Sequence, residues 1–242
     1  MSRTVTRTAA ALLALGALAY TAWVLEVLVH TGLDPVRTYV SELAAADQPL
    51  GGLFRATDFA AGLLVLAGAL TGLAGAWRAR GSGVPGHEGR DPWAVGGWTA
   101  LAVFGAATAA DSRLPLSCAP TVDPVCAARE TAGLVPATHA AHAVSSSLAM
   151  TGALAALVAL TVAARRHDRR LPLARTGPAL VALEFAATAW TLAAVAAFEA
   201  GKGLWALGAG QRLQVLLVAV WLAVLAYSLA RSPAGDGQRE RR

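Results

Sequence analysis

ATHAAHAVSSSLAMTGALAALVALTVAA, residues 137–164, contains no Asp, Glu, Lys or Arg and is closed by RRHDRR at 165–170. A helix crossing a bilayer needs roughly 20 apolar residues, so this stretch reads as a transmembrane span stopped by a cationic anchor. Working outward, five more stretches have the same character: 8–31, 53–77, 93–110, 177–198 and 213–230. The third is short and rich in Ala and Gly. The whole chain is 56% hydrophobic and 14% charged, which places it outside the water-soluble globular class. An open sheet cannot cross lipid with unpaired edges, and the alternation of a membrane barrel is missing. The expected fold is therefore all-α: a polytopic membrane protein with six transmembrane helices in one bundle.

Arginine placement predicts the orientation. With both termini cytoplasmic, Arg3, Arg7, Arg78, Arg80, Arg90, Arg165, Arg166, Arg169, Arg170, Arg175, Arg231, Arg239, Arg241 and Arg242 lie inside. Arg37, Arg55, Arg113, Arg129, Lys202 and Arg212 lie outside, as the positive-inside rule requires. The basic balance thus calls for no nucleic acid. Its partners are the bilayer itself and anionic lipid at the cytoplasmic basic loops. Ala17 and Ala19 offer the context of a signal-peptide cleavage site, but the apolar run continues too far, and a retained first span is expected. The organisation is then a tail at 1–7, one membrane domain at 8–230, and a basic, disordered cytoplasmic tail at 231–242. The two halves share no motif. Gly68 and Gly72 fit a small-xxx-small helix contact.

Upstream of the opening stretch, residues 111–136 read DSRLPLSCAPTVDPVCAARETAGLVP. Cys118 and Cys126, the only cysteines, fall on the oxidising side of this topology and are expected to form a disulfide. In the chain-entropy picture so short a ring contributes about 2 to 3 kcal/mol. Two thiolates are too few for a metal site, and the spacing is not that of a C-x-x-C exchange motif.

His139 and His142 share a helix face, and Ser146 continues it one turn deeper. Such a pair has two readings. The rings anchor a helix end at the headgroup level, or they bind a divalent metal such as zinc or act as acid and base. Other polar residues gather at the same ends of the spans: Glu26 and His30, Asp58, Asp111, Glu199 and Lys202. The connection LDPVRTYVSELAA adds Asp34, Arg37, Tyr39, Ser41 and Glu42. Asp58 lies below the interface and needs a partner; Arg55, His30, His139 and His142 are the candidates. A catalytic set would draw on His139, His142, Asp58 and Asp111. Contacts to a headgroup or substrate would come from Ser41, Glu42, Arg55 and Ser146. His87 and His167 sit in basic loops where solvation accounts for them. Glu184 stands alone in the fifth span as a possible proton or cation site.

SELAA at 41–45, FRATDFAAG at 54–62, CAPTVDPVC at 118–126 and HAAH at 139–142 resemble actinobacterial members of the integral membrane family catalogued as domain of unknown function 998. The resemblance runs from about residue 8 to residue 230. It implies six helical spans and a bacterial plasma-membrane location, and it brings no established activity. Members place an aspartate directly before the first cysteine, where this chain has Ser117, leaving Asp111 and Asp123 as the nearest acids. That departure weighs against a carboxylate-assisted metal or acid–base role there.

Three functions follow as expectations. The first is a structural, accessory or sensing membrane protein. The alternative is a membrane-embedded hydrolase or transferase, metal-dependent in one version, acting on a lipid or lipid-linked headgroup. The third is a small-solute or proton-coupled carrier relying on Glu184. No H-E-x-x-H or G-x-S-x-G element decides among them.

Overall fold

The computed structural model of the chain describes residues 3–78 and 91–231. Arg80, His87, Arg90 and the tail expected beyond Arg231 lie outside the described residues. Among those described there is no strand. The long helices are α1 (Arg3–Tyr20), α2 (Gly51–Arg78), α3 (Pro92–Asp111), α5 (Ala137–His167), α6 (Pro172–Glu199) and α7 (Leu207–Arg231), and a short α4 (Pro124–Thr131) lies in the cysteine loop. Six segments are long and apolar enough to cross a membrane. They are apolar on nearly all faces, as expected of helices that meet protein on one side and lipid on the other.

The helices form a closed ring. Chain neighbours pack in the order α1, α2, α3, α5, α6, α7, and α7 returns to α1. Each passes antiparallel to the next: Leu13 meets Gly68, Gly62 meets Ala109 while Gly72 meets Trp98, and Gly97 meets Leu160 while Gly152 meets Phe104. Both described ends of the chain therefore lie at one end of the bundle. The cysteine loop and the 21–50 connection lie at the other, called here the disulfide end. Leu13, Leu101, Phe104, Leu157, Trp221 and Leu222 fill the ring's interior.

Several sequence boundaries move, for local reasons. The first span was expected as one helix over 8–31. Its α-helix instead ends at Tyr20 and tightens into a 3-10 turn at Ala22–Val27. Thr21 starts the change, since its N–H and its hydroxyl both bond Leu18 O, at 3.2 and 2.8 Å. Glu26 consequently turns inward while His30 stays exposed. The last span begins at Leu207, which brings Arg212 into the helix instead of the loop. The fifth begins at Pro172, where a missing N–H costs nothing at a first helical position. Gly68 and Gly72 do not serve one contact; a Cβ on Gly68 would meet Leu13 of α1, and one on Gly72 the Trp98 ring of α3.

Candidate functional site

At the disulfide end the connections fold back on the helices and are tied there by buried polar side chains. Glu26 and Arg212 form a two-pronged pair, Nε to Oε1 at 2.6 Å and Nη2 to Oε2 at 2.7 Å. Arg212 Nη1 also donates to Thr38 O at 2.7 Å. Glu42 is fully buried and accepts the N–H of Tyr39, the N–H of Thr121 and the Thr121 hydroxyl. Burial pushes the Glu42 carboxyl above the usual glutamate range, and the Thr121 and Tyr39 hydrogen bonds and Arg212 pull it partly back. Burial likewise raises the Tyr39 phenol, with Glu199, Glu130 and Glu42 adding to the effect. Arg55 Nη1 donates to Ala44 O at 2.6 Å and Ala45 O at 3.1 Å, capping the 3-10 turn Val40–Ala44. It is thus bonded to backbone carbonyls, not to Asp58. In the cysteine loop, Asp123 caps α4 by accepting from Val125 N, and Cys118 and Cys126 are joined in a disulfide.

The two histidines have opposite ring states. Ser117 N–H donates to His139 Nδ1 at 3.0 Å, so Nδ1 is an acceptor and the neutral ring carries its proton on Nε2. That nitrogen lies 3.2 Å from Glu130 Oε1. Both nitrogens of His139 are consumed in joining Ser117 to α4, and the ring is only 2% exposed. His142 Nδ1 instead faces Leu114 O at 3.1 Å, and a carbonyl can only accept, so its proton sits on Nδ1. The same nitrogen is 3.1 Å from Asp111 Oδ1. Ser145, on the same helix face, donates its hydroxyl to Asp111 as well. Asp111 ends α3, where the helix dipole disfavours an anion, and these two donors offset that. His142 Nε2 is left with its lone pair.

Beside this dyad lies a cavity of about 360 Å³, within the size range of small-ligand sites. Asp58, Asp111, His142, Ser146 and Ser41 line it, together with Tyr20, Trp23, Tyr39, Glu130, Glu199, Gln211 and Gln214. Asp58 makes no hydrogen bond there. Of the predicted set, His139, Glu42 and Arg55 do not line the cavity; each instead holds the surrounding loops. Ala143 and Ser147 of α5 and Leu192 of α6 line it while being exposed, Leu192 at 62%. The mouth is therefore between α5 and α6, the most loosely packed seam in the ring. At the other end these helices touch closely, a Cβ on Gly177 meeting the Thr161 side chain.

A divalent metal such as zinc was one of the readings offered for His139 and His142. A zinc site needs three or four converging ligands, and these rings turn to different partners. Among the described residues no three His, Cys, Asp or Glu side chains are placed to hold a metal ion. The donor set does not fit the metal.

A family described as protein of unknown function, DUF998, matches residues 13–228. The chain belongs to this family. Comparison with curated proteins and with solved structures yields no match. In this DUF998 protein the position before the first cysteine, Ser117, is a direct partner of His139: its hydroxyl and its N–H both meet Nδ1. Ser117 is thus a loop strut, separate from the His142–Asp111 dyad. Sequence reasoning missed Tyr20, Trp23, Glu130, Ser145, Gln211 and Gln214. Gln214 had a legible signal, being an amide inside an otherwise apolar span, where polar groups are seldom without purpose.

Proposed function

We propose that this protein takes the polar head of one amphiphile from the lipid layer into the cavity, through the gap between α5 and α6, and acts as a sensing or accessory component. The observation that carries this is the lining. Asp58, Asp111, Glu130 and Glu199 contribute carboxyl groups, Tyr20, Trp23 and Tyr39 contribute ring faces, and no Lys or Arg lines the space. Carboxylates and aromatic faces both attract a cation, so the head is an amine. The apolar part of the lining, from Leu192, Val195, Met150 and Val215, suits the first segment of a chain. The arginine distribution supports a plasma membrane with the disulfide end extracytoplasmic, and the family resemblance supports a bacterial one.

The test is native mass spectrometry of detergent-solubilised protein titrated with phosphatidylethanolamine or phosphatidylglycerol. One phosphatidylethanolamine per chain is expected, with weaker occupancy in Asp58→Asn and Asp111→Asn. Equal binding of the two lipids would sink the charge argument. Binding of neither would sink the cavity reading.

A hydrolase or transferase of the same headgroup is the second reading, favoured by one observation. Asp111 holds the Nδ1–H of His142, leaving Nε2 free as a base, the arrangement that orients a general-base histidine. Lipid turnover that His142→Ala abolishes would establish it.

A further inference from the structure

Glu184 plays no part in the cavity lining or the loop ties. It lies inside α6, 1% exposed, and neither carboxyl oxygen has a hydrogen-bond partner. An ionised carboxylate in that setting is costly unless something neutralises it. The helices packed against α6 supply no cation: between His142 and Arg165, α5 has no titratable side chain, and between Arg212 and Arg231, α7 has only Tyr227, which is half exposed. Tyr20 of α1, at the cavity wall, is a titratable group within electrostatic reach.

A polar stripe leads from Glu184 toward that cavity. Thr188 and Thr191 follow at i+4 and i+7 on the same face of α6. Thr188 Oγ1 accepts from Gln214 Nε2 at 2.9 Å, leaving its own proton uncommitted, and Gln214 lines the cavity. Thr191 Oγ1 is buried without a partner. These groups set polar side chains along one face of α6 between the cavity and a carboxyl group at mid-bundle, with one hydrogen bond among them, from Gln214 to Thr188.

We propose that Glu184 is a proton-binding site filled from the cavity along Thr188, Thr191 and Gln214. Hydronium at the cavity floor gives up a proton, leaving water. Water entering from the cavity carries the proton along this polar face, each hop breaking one O–H bond as the next forms, and the last O–H bond forms on a Glu184 oxygen, turning carboxylate into neutral acid. Protein charge rises by one and no other reactant is consumed. This site stands independently of what occupies the cavity.

The experiment is infrared difference spectroscopy of the purified full chain in lipid nanodiscs across a pH titration. Wild type and Asp58→Asn should both show the carbonyl band of a buried protonated carboxyl, and Glu184→Gln should lose it. A band lost in Asp58→Asn and kept in Glu184→Gln would assign the proton to Asp58 and overturn the proposal. So would a band displaced by sodium at fixed pH, which would make the site one for a metal cation. After a pH jump the band should decay more slowly in Thr188→Val than in wild type. An unchanged decay rate would overturn the route, and this arm remains informative even where Glu184→Gln fails to fold.

Discussion

Arg212 and Glu26 lie 186 positions apart and meet in a buried two-pronged ion pair, which fastens the start of α7 to the turn that ends the first span. The pair closes the ring where α1 and α7 adjoin, and Arg212 also holds the 34–38 connection through Thr38 O. Removing one partner strands a buried charge, which costs about 3 to 5 kcal/mol. Glu26→Leu and Arg212→Met should each lower the unfolding temperature in detergent sharply. Glu26→Leu combined with Arg212→Met should recover much of that loss, and a double-mutant cycle measures the coupling. Additive losses would show the pair to be uncoupled.

The α2–α3 crossing depends on two glycines facing each other. A Cβ on Gly62 would come within 2.8 Å of Gly105 O, and one on Gly105 within 2.8 Å of Gly62 O, with backbone nitrogens of Ala109 and Leu66 closer still. Backbone cannot yield as a side chain does, so Gly62→Ala and Gly105→Ala should each cost at least about 1 to 3 kcal/mol. Gly96 on the same helix has open space around its Cβ position. Gly96→Ala should be neutral or stabilising by about 0.5 to 1 kcal/mol, read in the same thermal unfolding assay.

Six spans were legible because lipid imposes one requirement on every stretch that crosses it, length with apolarity, and 137–164 meets it without any tertiary information. Pairings between distant residues impose no such local mark. Arg212 looked like a loop charge because its partner lies in another span, and Glu42 looked like a headgroup contact because nothing local shows that Thr121 folds over it. Helical spacing placed His139 and His142 on one face, correctly. It could not reveal that the loop would turn Ser117 toward the first ring and Leu114 O toward the second. Ser145 and Ser146 were nearly equivalent by spacing; helix rotation decided that one bonds Asp111 and the other lines the cavity.

Glu42 should give the loop cap a pH dependence. Its carboxyl is raised in the folded protein, chiefly by burial, so the fold holds this proton more tightly than the unfolded chain does. The stabilisation is then complete below the ordinary glutamate value of about 4.3 and is lost as pH rises through the folded value. The geometry accommodates the proton, since Thr121 Oγ1, at 2.5 Å, can turn from donor to acceptor. Wild-type stability minus that of Glu42→Gln should therefore fall as pH rises from the acid range. A difference that grows with pH would mean that the ionised form is the one the loop prefers.

His139 and His142 should separate cleanly in their phenotypes. His139→Ala removes the acceptor of Ser117 N–H and the partner of Glu130, so the cysteine loop loses its tie to α5. A stranded backbone N–H costs about 1 to 3 kcal/mol, and the unfolding temperature should drop accordingly. Amine-lipid occupancy per folded chain should change less than in His142→Ala, because this ring does not line the cavity and touches it only through Glu130. His142→Ala leaves one carbonyl and Asp111 short of a donor, with Ser145 still bonded to the carboxylate, so the stability loss should be smaller. Its effect should appear in the cavity, as altered lipid occupancy or as lost turnover if the headgroup is a substrate. Melting curves and native mass spectra on the same two preparations check both halves. An occupancy change in His139→Ala at unchanged stability would reverse the roles assigned to the two rings.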